Sequence, residues 1–363
     1  MNITRRDFGK LTLTGLPVAT ALLSSRELLA AGAKPDSQFA GVWIGVIAPY
    51  SYLSERHTDA QTILGDIVSD RISGCEIEAL TPESYAGCPP YDGLDGNASP
   101  NGAAMFTGAR RGPAGVRRAG GPPAGARRGP GPGRRAMTPE QKAAMAKAQA
   151  AMTKWRLAVP MSKFESFRSM YNDAGVSIYA LKLTLAMYMH DAEFDYAFNA
   201  AKTLGARALQ MEFPDGAGGD ELTDRIGQFA SKHKMMVGYH AHLDAKPNLW
   251  DKAMAQSPYN GINLDVGHYV AAGNHDVVQF IQKNHARITT LHLKDRHYPT
   301  IDNGSNEPWG QGDTPLVEIL HLMRDKHYPF PGSIELEYKI PAGSTANLEI
   351  AKCVAYAKHA LLT

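Results

Sequence analysis

Five apolar segments in the second half of the chain each end in a carboxylate or an imidazole group. The residues concerned are Glu212, His240 and His242, Asp265 and His268, His292, and Glu335 and Glu337. A buried carboxylate without a partner is costly, whereas several together are stable around a divalent cation that neutralises them. Nitrogen and oxygen donors without sulfur suit Mn²⁺, Co²⁺ or Zn²⁺, with Mg²⁺ and Fe²⁺ as alternatives. The pattern therefore predicts one divalent metal ion, provided that the fold brings these segment ends together.

The elements that must position these residues alternate along the chain as strand-like and helix-like segments. The eight strand candidates are compact apolar runs at 41–47, 75–80, 176–183, 206–213, 235–242, 261–267, 288–294 and 333–338. Eight such strands alternating with helices predict an α/β fold, the (β/α)8 TIM barrel, which carries its chemistry where the strands end. A doubly wound open sheet is the alternative, but residues 44–49 do not supply the Gly-rich phosphate turn that it needs.

Residues 85–136 form an insertion of low complexity after the second predicted strand. Gly, Pro, Ala and Arg dominate it, and residues 97–136 hold eight arginines and no acidic residue. Such a stretch buries too little apolar area to offset the entropy of ordering it, so we expect disorder. A tolerated surface insertion is the favoured interpretation, and a polybasic tether for anionic polymers or lipid surfaces is the alternative. A helix is then predicted from Thr138 to Arg156.

The first 33 residues resemble a twin-arginine export signal. Arg5-Arg6 precedes Phe8, an apolar run covers 11–23, and Ala31-Gly32-Ala33 supplies the small residues of a cleavage site. A short basic helix start is the alternative interpretation. The apolar run is too short to span a membrane, and no later segment reaches the necessary length. We therefore expect residues 34–363 to form a periplasmic barrel domain without a transmembrane segment.

The composition of the 363-residue chain is that of a soluble globular protein, with 44% hydrophobic and 20% charged residues. The formal net charge is only +2 although the insertion is strongly basic, so the rest of the chain is acidic. An acidic body argues against nucleic acid as the main partner. Three cysteines do not provide a disulfide framework.

The strand-end motifs resemble those of the xylose-isomerase-like TIM-barrel superfamily, the sugar phosphate isomerase/epimerase group. The most specific segments are Asn263-Leu264-Asp265-Val266-Gly267-His268, Leu291-His292-Leu293-Lys294-Asp295 and Ser333-Ile334-Glu335-Leu336-Glu337. The resemblance covers residues 38–360 apart from the insertion. It implies one divalent metal held by Glu212, Asp265, His292 and Glu335. Glu337 stays open as the alternative to Glu335, because residues two apart on a strand point to the same face.

The resemblance also implies residues that bind the substrate and move protons. His268, three residues after the metal-binding Asp, matches a position that touches the substrate, and Arg296 could bind a hydroxyl or a carboxylate. His240 or His242 is the candidate acid/base, and strand alternation does not distinguish between the two. Glu212 and Glu335 are further candidate bases. Lys182, inside an apolar strand, either snorkels at the barrel end or reaches the pocket as a weaker substrate-binding candidate.

This set of residues implies a metal-dependent sugar isomerase or epimerase. Its reaction would begin with abstraction of the proton α to a carbonyl group and pass through a metal-bound enediolate. Export argues against a phosphorylated intracellular sugar, so we expect a small carbohydrate substrate that is a non-phosphorylated sugar or ketosugar.

Three alternatives stay open at this point. Elimination shares the first step, and exported members of the resembled superfamily look similar to lyases or dehydratases that release the aglycone from 3-keto-glycosides. A non-catalytic periplasmic sugar-binding protein is disfavoured by the nearly complete ligand set. An apurinic endonuclease with three zinc ions would need more ligands on the early strands and a basic groove. Dimers or tetramers are usual in the resembled family, which leaves a homo-oligomer open.

Overall fold

The structure is a computed structural model that describes residues 34–55, 59–89, 138–214 and 216–363. The chain divides into two compact units. The larger unit contains the described residues up to Gly87 together with Val159–Thr363, and the smaller unit contains those between Cys88 and Ala158. The export signal predicted at 1–33 and most of the insertion predicted at 85–136 lie outside the described residues, so both stay predictions.

Eight parallel strands form the centre of the larger unit. They are β1 (Val42–Ala48), β2 (Gly74–Glu78), β3 (Ser177–Lys182), β4 (Ala208–Glu212), β5 (Met236–His240), β6 (Asn260–Asp265), β7 (Ile288–Leu293) and β8 (Gly332–Ile334). Each strand pairs in parallel with the next along the chain, and β8 also pairs in parallel with β1. The sheet is therefore closed, which confirms the predicted TIM barrel and excludes the open doubly wound sheet.

Helices connect the strands, as expected for parallel neighbours that need crossover connections. In chain order they are α1 (Ala60–Ser69), α2 (Leu80–Tyr85), α3 (Pro139–Arg156, in the smaller unit), α4 (Ser162–Asp173), α5 (Asp191–Leu204), α6 (Gly219–His233), α7 (Asp251–Gln256), α8 (Val266–Ala271), α9 (Val277–Asn284), α10 (Leu316–Asp325) and α11 (Ala346–Leu362). Short 3₁₀ helices cover Tyr50–Glu55 and His285–Arg287. Two short antiparallel pairings occur outside the barrel, Gln38–Phe39 with the start of β1 and Asp295–Arg296 with Asn306–Glu307.

The helix predicted from Thr138 to Arg156 is confirmed as α3. The Thr138 hydroxyl accepts a hydrogen bond from the Gln141 backbone N–H, and the Gln141 side chain accepts one from the Thr138 backbone N–H. This reciprocal capping box satisfies amide groups that a helix N-terminus otherwise leaves unpaired. The local sequence is therefore sufficient to start this helix.

A tyrosine side chain fills part of the barrel interior. The hydroxyl groups of Tyr179 and Ser333 lie 2.6 Å apart. A Cβ atom on residue 45 would come within 2.3 Å of the Tyr179 hydroxyl, so this position in β1 requires glycine. The interior is packed with side chains, as in other barrels of this size.

Seven of the eight strands are shorter than predicted, and in two of them the missing end carries a candidate site residue. β5 ends at His240 rather than at residue 242, and β8 ends at Ile334 rather than at residue 338. After β8, the Leu336 amide donates to the Ser51 hydroxyl, which itself donates to the Ile334 carbonyl. A serine side chain thus takes over from strand pairing at Leu336, while Glu335 and Glu337 still lie on the same side, as expected, and both reach the Lys294 ammonium.

A buried acid at the end of α1 allows a prediction about stability. Asp70 accepts hydrogen bonds from the Tyr52 hydroxyl and the Asn347 amide, and burial raises its pKa to about 8. The folded state therefore holds a proton that the unfolded chain releases near pH 4, so this group lowers stability as pH rises from 4 to 8. We expect Asp70→Asn to remove this loss, and to gain about 2–4 kcal/mol relative to wild type between pH 5 and pH 8.

Urea unfolding of both proteins at the two pH values measures this difference. The comparison within each pH cancels the titration of all other groups, because both proteins share them. If the unfolding free energies of wild type and Asp70→Asn change by the same amount between pH 5 and pH 8, Asp70 ionises normally in the folded protein.

Candidate active site

The C-terminal ends of the barrel strands bring the charged residues of the sequence motifs to one mouth. In strand order, the side chains that meet there are Glu76 and Glu78, Lys182, Glu212, His240 and His242, Asp265 and His268, His292, Lys294 and Arg296, and Glu335 and Glu337. Contacts connect these side chains, apart from Glu78, into one polar network. Every site residue named from the sequence lies at this mouth.

Four buried side chains form the tightest group in this network. His240, Asp265, His292 and Glu335 each offer one nitrogen or oxygen atom, and these four atoms all lie within 4.8 Å of one another. The four residues are at most 6% exposed. We call this group the ligand cluster. It contains three of the four residues that the resemblance implies as metal ligands, and His240 is the fourth member where Glu212 was expected.

His292 lies at the centre of the ligand cluster and is held on both ring nitrogens. Its Nδ1 lies 3.0 Å from Glu335 Oε2, and its Nε2 lies 3.1 Å from Glu76 Oε2. The Asn263 amide also lies 2.9 Å from Nε2. Burial lowers the pKa of His292, but the two carboxylates outweigh it and raise the pKa to about 10. Sequence analysis missed Glu76, because it sits inside an apolar strand far from the motifs.

Asp265 is oriented by the start of the helix that follows β6. Its Oδ1 accepts a hydrogen bond of 2.7 Å from the His268 backbone N–H, which caps α8. The other oxygen, Oδ2, is left facing Lys294 at 3.0 Å. Burial raises the pKa of Asp265 to about 7, although the Lys294 ammonium opposes this shift. The three-residue spacing between Asp265 and His268 is therefore that of a helix cap.

Lys294 is the main cation of the mouth, and sequence analysis assigned it no role. Its ammonium lies 3.0 Å from Asp265 Oδ2, 3.2 Å from Glu335 Oε2 and 2.6 Å from Glu337 Oε2. Burial opposes the charged form, but these carboxylates outweigh it and raise the pKa of Lys294 above its ordinary value. Its position two residues after His292 in the motif was the available signal.

Glu212 stands beside the ligand cluster and is paired with two other side chains. Its carboxylate lies 2.9 Å from the Lys182 ammonium and 3.3 Å from His242 Nε2. Burial raises the pKa of Glu212, but Lys182 and the two histidines outweigh it and bring the pKa below its ordinary range. Lys182 thus reaches the pocket, which was one of its two expected placements.

His240 and His242 differ sharply in their surroundings, although sequence reasoning could not separate them. His240 is 1% exposed, whereas the His242 side chain is 44% exposed at the mouth. Burial holds the pKa of His240 well below its ordinary value, which leaves a neutral ring with a free lone pair. Burial also lowers the pKa of His242, but the contact with Glu212 outweighs it and the pKa is raised.

His268 and Arg296 are in contact with each other, and His268 also lies beside Lys294. Arg296 Nη1 lies 2.5 Å from His268 Nδ1, and Arg296 Nε donates to the Gly304 carbonyl at 2.8 Å. His268 Nε2 lies 3.2 Å from the Lys294 ammonium. Burial keeps the pKa of His268 well below its ordinary value, so its ring is neutral. His268 and Arg296 were predicted to bind the substrate, and this role stays a prediction.

Glu335 and Glu337 also take separate places. Glu335 belongs to the ligand cluster, whereas Glu337 accepts a hydrogen bond from the Tyr50 hydroxyl and pairs with Lys294. The geometry therefore favours Glu335 over Glu337 as a metal ligand.

The ligand cluster fits a divalent cation by its unpaired atoms and by its donor types. Among the described residues, both ring nitrogens of His240 are buried without a hydrogen-bond partner, and the Oδ2 atom of Asp265 makes only its ion pair with Lys294. Such atoms are rare in folded proteins unless a ligand or an ion satisfies them. Two imidazoles and two carboxylates suit Zn²⁺, Mn²⁺, Co²⁺ or Fe²⁺. A second group of three imidazoles, from His240, His242 and His268, lies immediately beside it.

The part of the chain that the structure describes holds no helix long and apolar enough to cross a membrane.

Comparison with known proteins connects this barrel to one group. The family model described as xylose isomerase-like TIM barrel matches residues 249–353, which carry the motifs around Asp265, His292 and Glu335. A comparison with curated proteins found no match.

Two solved structures cover most of the chain. A sugar phosphate isomerase/epimerase from Parabacteroides distasonis is 15% identical with a TM-score of 0.51, covering 90% of this chain and 98% of its own. The probable 3-DHS dehydratase AsbF from Bacillus anthracis, described as involved in petrobactin synthesis, is 12% identical with a TM-score of 0.51, covering 85% and 97%. At such identities these structures show a shared fold. The resemblance to xylose isomerase-like TIM barrels is thus confirmed, by the family match over residues 249–353 and by the common barrel.

Proposed function

We propose that the protein is a divalent-metal-dependent sugar isomerase or epimerase that removes a proton next to the carbonyl group of a non-phosphorylated sugar. The observation that supports this most directly is the ligand cluster, in which four buried donor atoms lie within 4.8 Å of one another. In this proposal His240, Asp265, His292 and Glu335 hold the cation. A cation bound there would polarise the sugar carbonyl and so acidify the adjacent C–H bond.

The pair of His242 and Glu212 is the proposed acid/base. His242 is reachable from solvent and lies 3.3 Å from Glu212, so the carboxylate can orient the ring and stabilise its protonated form. His240 and Glu335 are less suited to this role, because both belong to the ligand cluster. Glu212 as a metal ligand, which the resemblance implies, stays a prediction that metal analysis can test.

His268, Arg296 and Lys294 are proposed to bind the sugar oxygens. All three are buried, and His268 contacts both Lys294 and Arg296, so their positions are fixed before substrate arrives. Lys294 also balances the negative charge of Asp265 and Glu335. Glu76 acts through His292, which it holds in one orientation.

The charge balance of the mouth supports a substrate without phosphate. Lys182 is paired with Glu212, Lys294 with three carboxylates, and Arg296 with the Gly304 carbonyl. Lys182 and Lys294 are thus already neutralised by carboxylates, and Arg296 is left as a single monovalent cation, which does not balance a dianion, while several carboxylates are available to accept hydrogen bonds from hydroxyl groups.

Incubation in heavy water with a panel of free ketopentoses, ketohexoses and 3-keto-glycosides tests the proposal. The protein is loaded with Mn²⁺, and deuterium uptake is followed by mass spectrometry and NMR. We expect uptake at the carbon next to the carbonyl, with the carbon skeleton retained, for at least one free ketose.

The same experiment separates the alternatives. Release of an aglycone or of water would show that the protein catalyses elimination instead of isomerisation. Both reactions begin with the same proton abstraction. Binding of a sugar without any exchange would favour a non-catalytic binding protein. Neither exchange nor binding across the panel, with one metal ion per chain verified, would contradict the proposed function.

A further inference from the structure

The first three strands contribute a side of the mouth to which the proposed function assigns no contact with the sugar. The ligand cluster is built from β5 to β8, and Glu212 ends β4. On β2, Glu76 reaches His292 inside the barrel, so its side chain points inward. Glu78 lies two residues further along the same strand and shares this face, one step closer to the open mouth.

Glu78 is buried, yet one of its oxygens has no partner. Glu78 is 6% exposed, and its Oε2 atom makes no hydrogen bond with the described part of the chain. Lys182 lies opposite Glu78 in the strand register, but its ammonium is 2.9 Å from Glu212 instead. An unsatisfied buried oxygen is costly, and at the mouth of a barrel a bound ligand is the partner that can satisfy it.

We propose that Glu78 is a substrate-contacting residue whose carboxyl group hydrogen-bonds an oxygen atom of the sugar, on the side of the mouth away from His268 and Arg296. The inference rests on the proposed function, since it assumes a sugar in this mouth. It adds a specificity-determining position from the early strands, which carry none of the motifs.

Burial and the neighbouring charges determine whether the Glu78 carboxyl group is protonated when it makes this bond. Burial raises its pKa to about 8, Lys182 opposes the shift, and Glu76, Glu335 and Glu212 reinforce it. The Tyr50 hydroxyl is a further titratable group that faces it. Below pH 8 the carboxyl group is therefore neutral, and it can donate one hydrogen bond and accept another.

A neutral carboxyl group adds a kind of hydrogen-bond partner that the charged side chains of this mouth do not provide. Glu212 and Glu337 are ionised and can only accept hydrogen bonds, whereas Lys182, Lys294 and Arg296 can only donate them. Two neighbouring sugar hydroxyls each donate and accept, so a group that does both can bind such a pair without adding charge.

Two substitutions at this position test the proposal with the ketose that wild type turns over best. Glu78→Gln keeps a neutral donor and acceptor, so KM is expected to rise by about threefold, whereas Glu78→Met loses the bond and is expected to raise KM about tenfold. In wild type KM is expected to rise above pH 8, and in Glu78→Gln this rise is absent. Glu83→Gln, a buried glutamate just after β2, is the control and should keep the wild-type pH dependence.

An infrared measurement gives a result that does not depend on turnover. The difference spectrum of wild type minus Glu78→Gln should contain the C=O stretch of a protonated carboxyl group at pH 6, and the panel sugars should shift that band. Wild type that exchanges no proton would count against the proposed function, while a sugar-induced band shift would still support a contact with Glu78. No band shift with any sugar, or equal KM values for the glutamine and methionine variants, would overturn the inference.

Discussion

Replacing Glu335 by glutamine is expected to abolish metal binding and to lower kcat/KM for proton abstraction by about 10³-fold or more, because a bound cation contributes several kcal/mol and each 1.4 kcal/mol is tenfold. Glu335 Oε2 lies 3.0 Å from His292 Nδ1 and 3.2 Å from the Lys294 ammonium. Glutamine has the same shape and can keep one of these contacts, so the barrel should fold. It lacks the negative charge that makes a carboxylate a strong ligand for a divalent cation.

Metal analysis, thermal unfolding and the heavy-water assay together measure this effect. Wild type should carry one divalent ion per chain, lose its activity on treatment with a chelator and regain it when Mn²⁺ is added back. Glu335→Gln should carry little or no metal and should not respond to Mn²⁺. A full complement of metal in this variant would exclude Glu335 from the ligand cluster.

Glu349→Gln is the matched control for this substitution. Glu349 is also a buried glutamate, but it lies in α11 and accepts hydrogen bonds from the Tyr338 hydroxyl and the Lys352 ammonium. Its loss can change stability, whereas metal content and activity per folded molecule should stay those of wild type. The pair of variants therefore separates the loss of a buried charge from the loss of a ligand.

The barrel and most of the ligand cluster could be predicted because both depend on local patterns. A buried parallel strand is a continuous apolar run, and a polar residue that ends it stands out against that background. Asp265 and His292 end such runs, and the closure of the sheet then brings them together. Because their strands are adjacent in the barrel, the strand order alone places Asp265 beside His292.

The residues that were missed owe their roles to contacts between distant parts of the chain. Glu76 and His292 are 216 positions apart, and nothing near Glu76 in the sequence indicates an imidazole opposite it. Glu78 is a similar case, since an acidic residue within a short strand could equally lie at an exposed edge. Only the closed barrel makes the inner face of β2 part of the mouth.

The ends of strands were predicted less well than their centres, because side chains compete with strand pairing there. Apolar alternation continues to Tyr338, yet the Ser51 hydroxyl binds the backbone on both sides of Glu335 and turns the chain away. The choice between Glu335 and Glu337, and between His240 and His242, depends on such turns. Periodicity cannot settle these choices.

Replacing His242 by asparagine is expected to lower kcat by about 10²–10³-fold, the usual contribution of a positioned general acid/base. The His242 ring is 44% exposed and lies 3.3 Å from Glu212, so it can both reach a bound sugar and be oriented by the carboxylate. His242 is outside the ligand cluster, and metal content should therefore be unchanged. His285→Asn is the control, since this exposed histidine precedes β7 at the opposite end of the barrel.

A double substitution tests whether His242 and Glu212 act as one unit. Glu212→Gln should cost less than His242→Asn, because the ring remains and only its orientation and charge balance are lost. If Glu212 acts through His242, the double variant should be no slower than His242→Asn alone, since effects of residues that work as a unit do not add. If the losses in kcat of the two single variants multiply in the double variant, His242 and Glu212 act independently. Loss of metal from Glu212→Gln would instead make Glu212 a ligand, and the base would then have to be sought among the remaining groups of the mouth.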